Sequence, residues 1–160
     1  MKKLISLVLI ICALFALISC NSNSEWQKAE HTYSQLGFTV SYNYPNGYYA
    51  VSSDDDPNIC IYADGIEDKL DWSALISVTD MNYLEFEDYK GDVAKTASDI
   101  KHKDDIWTFV YEEPQERTVI LKWFECGKLL ILHKANDFNY DDALEIVRTF
   151  EIDVWGEDVR

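Results

Sequence analysis

Apolar residues follow three patterns along this chain. An unbroken run comes first, with no charged residue between Leu4 and Ile18. From Gly37 the period becomes two. Phe38, Val40, Tyr42 and Tyr44 alternate with Thr39, Ser41 and Asn43, which predicts a half-buried strand. Over residues 86–100 the period changes again, to steps of three and four. Phe86, Tyr89, Val93, Ala97 and Ile100 recur with Glu, Asp and Lys between them, which predicts an amphipathic helix. Glu85, Glu87 and Asp88 near its start suit the positive end of the helix dipole.

The remaining elements fall between these landmarks. Pro45-Asn46-Gly47 is turn chemistry, because Pro presets φ and Asn-Gly accepts positive φ. Residues 48–51 resume as a strand, and 52–58, with three consecutive aspartates and Pro57, form an exposed loop. Short strands are expected over 59–63 and 74–79, with a loop over 64–71 and a charged link over 101–105. Three strands follow, over 106–111, 118–124 and 129–134. The last two join through Glu125-Cys126-Gly127-Lys128, with Gly127 free to take positive φ. Val119-Ile120-Leu121 and Leu129-Leu130-Ile131-Leu132 are nearly continuous in apolar residues, so those strands should be covered on both faces. Asn139 or Asp141 can cap a final helix from 142 to about 150, with Ala143, Leu144, Val147 and Phe150 as its buried stripe. The economical fold for this order is α+β, an antiparallel β-sheet sandwiched by α-helices.

Residues 35–153 therefore form a single domain, with 154–160 as a tail. Residues 20–34 are expected to be a tether. Ser24 and Gln27 have capping-box spacing, and Trp26, Ala29 and Tyr33 share a helical face. A short helix and an extended approach to the first strand are equally open there.

Composition sharpens the address. Lys2 and Lys3 precede the first apolar run, which is too short for a spanning helix and has the shape of a secretory signal. It closes in Leu17-Ile18-Ser19-Cys20, which resembles the lipobox of bacterial lipoproteins. That resemblance implies cleavage of residues 1–19, lipidation of Cys20, and a domain anchored to the bacterial cell envelope on its extracytoplasmic side. Several acyl chains hold firmly, since each buried methylene contributes ~0.8 kcal/mol. The membrane is then the first expected partner, reached through the N-terminal lipid.

Charge excludes one partner class. The chain has 14 basic and 29 acidic residues, a formal −15, and loss of Lys2 and Lys3 lowers this by two to −17. Such a surface repels phosphate backbones, so no nucleic acid is expected. It suits a basic protein, or solubility alone. Five Trp and ten Tyr are enough for a substantial core.

Candidate chemistry is sparse. After cleavage, Cys60 and Cys126 remain. An oxidising compartment permits a disulfide between them, although both sit in apolar runs where a free thiol packs well. No metal site or cofactor is expected. Asp54-Asp55-Asp56 lacks the alternation of a calcium loop. Asp137, Asn139 and Asp141 alternate, but Asp142 stands where Gly is needed and Arg148 where a bidentate Glu is needed. His31, His102 and His133 are too far apart for zinc spacing. Cys126 pairs with His133 across one hairpin only as a weak catalytic arrangement, and no other nucleophile stands beside a base. Tyr48, Tyr49 and Trp155 are the aromatic candidates for contact with a partner.

Residues 37–48, Gly-Phe-Thr-Val-Ser-Tyr-Asn-Tyr-Pro-Asn-Gly-Tyr, resemble the opening strand and Tyr-Pro-x-Gly-Trp turn of the Mog1/PsbP-like family, with Tyr48 in place of Trp. Gly127-Lys128-Leu129 and residues 143–152 resemble its last hairpin and closing helix, with Thr149 where Ser is usual. The resemblance implies an antiparallel sheet between helices and a binding or assembly accessory, not an enzyme. The expected role is a non-catalytic envelope binding protein. The rivals are an acidic inhibitor or immunity-type protein masking a cationic enzyme, and a hydrolase with a site the sequence does not reveal.

Overall fold

The computed structural model describes residues 26–66, 71–114 and 116–155; the signal segment, Cys20 and the first residues of the tether lie outside them. Two antiparallel sheets carry the fold. The smaller runs β1 (Trp26–Tyr33), β2 (Phe38–Pro45) and β10 (Glu151–Val154), in the order β1-β2-β10. The larger has seven strands in the order β3-β4-β5-β9-β8-β7-β6. These are β3 (Tyr48–Ser53), β4 (Asp56–Ala63), β5 (Ala74–Asp80), β6 (Asp99–Lys103), β7 (Ile106–Tyr111), β8 (Arg117–Phe124) and β9 (Lys128–Lys134). Helix α1 (Tyr83–Ala94) follows β5, and α2 (Tyr140–Thr149) follows β9.

Strand register sorts the large sheet into two faces, because side chains alternate along each strand. One rung aligns Thr108, Ile120, Leu132, Ile76 and Ile59. These residues face the small sheet and α2, and Ile120, Leu132, Ile76 and Ile59 share one core with Tyr33, Val40, Tyr42, Ile146 and Phe150. The neighbouring rung aligns Phe109, Val119, His133, Leu75, Cys60 and Val51 on the opposite face. There α1 contributes Phe86 to a second core with Phe109, Val119, Leu121 and Leu129. The apolar runs of β8 and β9 are thus buried on both faces, as their lack of alternation predicts.

Five segments differ from the sequence reading. Residues 52–58, expected to be a loop, are mostly strand, because β3 runs to Ser53 and β4 begins at Asp56. Residues 26–33 are neither tether nor helix. They are strand β1, paired with β2 along its whole length, and Ala29, His31 and Tyr33 point inward at every second position. Residues 151–154 form β10 on the other edge of β2, so the domain takes in Val154, the first residue of the segment expected to be a tail. The first predicted helix starts and ends earlier, at 83 and 94. Asn82 caps it: its side chain accepts from the Glu85 N–H, and its own N–H donates to the Glu85 carboxylate, both at 3.0 Å. Ile100 lies instead on β6, which with its charged neighbours forms a strand in place of the expected link. The β6–β7 turn is closed by Asp104 and Asp105, both at positive φ, a geometry that short polar side chains tolerate. The final helix is capped by Asn139, which accepts from the Asp141 and Asp142 N–H groups.

Candidate functional site: a cleft on the half-covered face

Helix α1 spans only part of its face. It covers β7, β8 and one end of β9, and it stops short of β4 and β3. A cleft of about 680 Å³ opens beside it. Its floor is Val119, Leu75 and His133 from β8, β5 and β9. Tyr89 and Val93 of α1 make one wall, and Trp72, just before β5, makes another. Tyr111 closes one end, its hydroxyl donating to the Val93 carbonyl at 3.1 Å. The volume and the mix of aromatic walls with a few polar groups match small-ligand sites.

Polar groups gather on one side of this cleft. His133 is half-buried and makes no side-chain hydrogen bond among the described residues. Burial, then the nearby Arg117 charge, lowers its pKa. The ring is therefore neutral at pH 7 and offers one donor and one acceptor. Arg117 sits on the rim with its guanidinium 5.8 Å from the Tyr111 ring centroid, and it forms no ion pair among the described residues. Lys134 also lines the cleft, but its ammonium donates to the carbonyls of Ala135 and Asn136.

His133 apart, the residues singled out in the sequence lie elsewhere. Both cysteines are free. Cys60 shares a rung with Leu75 and His133 at one end of β9, whereas Cys126 is in the turn beyond Lys128 at the other. Five residues of strand separate those ends, about 17 Å. A disulfide needs Cα atoms within about 7 Å, so the expected bridge is absent, and the same separation parts Cys126 from His133. Tyr48 and Tyr49 are successive residues of β3 and point to opposite faces. Tyr48 packs edge-on against Phe138, with centroids 5.0 Å apart, and burial raises its pKa. Tyr49 stacks on Tyr62 and donates to the Ile66 carbonyl at 2.7 Å. Trp155 is 46% exposed, and its backbone N–H donates to Gly37 at the far end of the small sheet. The three do not form one surface. No group of three metal-ligating side chains occurs among the described residues.

One pairing escaped the sequence. Ser52 Oγ lies 2.5 Å from His31 Nδ1, and His31 Nε2 lies 3.1 Å from the Tyr42 hydroxyl. A hydroxyl beside an imidazole has the look of a nucleophile and its base. Its surroundings are those of a structural joint. Tyr42 is buried, its pKa is raised chiefly by that burial, and His31 and Ser52 tie β1 to β3 across the seam between the sheets. Spacing gave no hint of it, because the two residues come from different sheets.

Compared with known proteins, the chain matches no family model and no curated protein. Among solved structures it is similar to the solution structure of the cyanobacterial PsbP protein CyanoP from Synechocystis sp. PCC 6803. The identity is 13% and the TM-score 0.45, over 84% of this chain and 97% of that one.

Proposed function

We propose that this is a lipid-anchored, extracytoplasmic binding or accessory protein of the bacterial envelope, which holds a small ligand without turning it over. The observation that carries the binding role is the cleft beside α1, walled by Trp72, Tyr89 and Tyr111 on a face the fold leaves half open. The anchorage rests on Lys2, Lys3, the uncharged run after them and Cys20.

Two measurements test the reading. Intact-mass analysis of protein from native membranes should show an acylated N-terminal Cys20, and Cys20→Ala should leave the membrane fraction; an unmodified N-terminus would remove the anchor. Amide-shift mapping with 2-naphthoate and 2-naphthamide should move Leu75, Val119 and His133 with at least one of the two, and Trp72→Ala should weaken it. A lack of response to both would remove the binding role.

A further inference from the structure

The binding role proposed above leaves the ligand open, and the inference here rests on it. The cleft is asymmetric. Its floor and two walls are apolar or aromatic, built from Leu75, Val119, Val93, Tyr89 and Trp72. Its polar side carries a cation without a carboxylate and a neutral imidazole without a partner, counted among the described residues. With 29 acidic and 14 basic residues, carboxylates outnumber cations about twofold. Several lysines have found one: Lys90 with Glu87, Lys95 with Asp92, Lys101 with Asp99. Arg117 has not, although Glu116, its neighbour in sequence, also lines the cleft.

Arg117 stands beside an aromatic ring that is itself held in place. Tyr111 is held by its bond to Val93, and the guanidinium lies over its ring. The guanidinium makes no hydrogen bond or ion pair to another described residue, and its N–H groups match a carboxylate with two parallel hydrogen bonds. Arg117, Val119 and His133 lie on the same sheet face, on adjacent strands. A planar group resting on Val119 and Leu75 can therefore reach both Arg117 and His133 without leaving the cleft.

We propose that the cleft takes a small amphipathic carboxylate. Its flat apolar body lies between Trp72 and Tyr89, its anionic end meets Arg117, and a second polar atom meets His133. The aromatic walls supply contact area, and Arg117 supplies the choice of charge. Net negative charge on the rest of the surface slows the approach of such a ligand but is screened over about 8 Å at physiological salt, whereas the Arg117 contact is direct.

The test compares 2-naphthoate with 2-naphthamide, the same body without the charge, by calorimetric titration of the full-chain protein. The acid is expected to bind at least tenfold more tightly than the amide. Arg117→Gln should weaken the acid by roughly 10- to 100-fold, the usual range for loss of a charge-assisted contact, and leave the amide unchanged. Arg117→Lys should recover part of the loss. Trp72→Ala should weaken both probes. Equal affinity for acid and amide, or an Arg117→Gln protein that binds both as the parent does, overturns the choice of anion and leaves the binding role intact. Failure of both probes to bind the parent protein overturns both.

Discussion

The two faces of the seven-stranded sheet are built to different degrees of closure. On one, the small sheet and α2 together cover strands from β4 to β8. Ile59, Ile61, Ile76, Ile120, Leu130 and Leu132 are all fully buried there. On the other, a single helix covers about half the width. Phe109 and Leu121 beneath it are fully buried, whereas Val51, on the same rung as Phe109, is 49% exposed. One rung therefore runs from closed core to open surface, and the cleft lies where the cover ends. The closed face specifies the fold. The half-open face has room for a ligand because, among the described residues, no second helix fills it.

The largest effect that tests this contrast is cavity formation. Ile120→Ala should cost about 3–4 kcal/mol of stability, because a buried isoleucine loses both its transfer energy and its packing. Val51→Ala, four strands away on the other face, should cost under about 0.5 kcal/mol. Urea denaturation of both variants checks the pair. Equal losses would mean that the open face is closed in solution.

The difference between the faces also explains what the sequence could convey. The strands around residues 119–132 were legible because burial on both faces leaves an unbroken apolar run. The β8–β9 turn was legible through Gly127, which sits at φ 75°. Strand β1 was not, because His31 occupies an inward position and interrupts the alternation of Ala29 and Tyr33. Strand β6 reads Asp-Ile-Lys-His-Lys and is exposed at every position, so no hydrophobic period could reveal it. It exists because β7 offers a partner and Asp104-Asp105 close the turn. The cleft was illegible for a different reason. Trp72, Tyr89, Arg117 and His133 come from four separate elements, and only the strand order β5-β9-β8 brings them together. The pairing of Ser52 with His31 depends in the same way on which sheet edges meet.

The next effect concerns the single helix itself. Asn82→Ala removes both bonds of the capping box and should cost about 1 kcal/mol. Because α1 packs on the open face alone, the loss should be local. Hydrogen exchange should speed up over residues 83–94 and leave α2 unchanged. Equal loss of protection in both helices would mean that the two faces unfold as one unit.

Acid should loosen both regions, each through one histidine. Burial holds the folded pKa of His31 and of His133 below the ordinary 6.5. The unfolded chain therefore takes up these protons first as pH falls, and folding stability declines with it. The contribution is complete above about pH 6.5 and is lost as pH drops from there towards the lower folded values. His31→Gln should flatten the pH dependence of the melting temperature, and His133→Gln should flatten it separately and additively, since one ring lies in the seam between sheets and the other in the cleft. A slope unchanged by either variant would assign the acid response to other groups.

The smallest expected effect lies at Cys60, on the open face between Val51 and Leu75. A disulfide from this position would hold the sheet edge to the β8–β9 turn, and its reduction would cost roughly 2–5 kcal/mol. Without one, Cys60 is a half-buried thiol on a lightly covered surface. Cys60→Ser should then change stability by no more than about 0.5 kcal/mol, the range for sites away from the core. Parent and variant should also melt at the same temperature with and without reductant. The measurement reads the open face directly: a serine hydroxyl is harmless where water reaches it and costly where it does not. A large loss that ignores reductant would show that something covers this half of the sheet, and a large loss that appears only on reduction would restore the bridge.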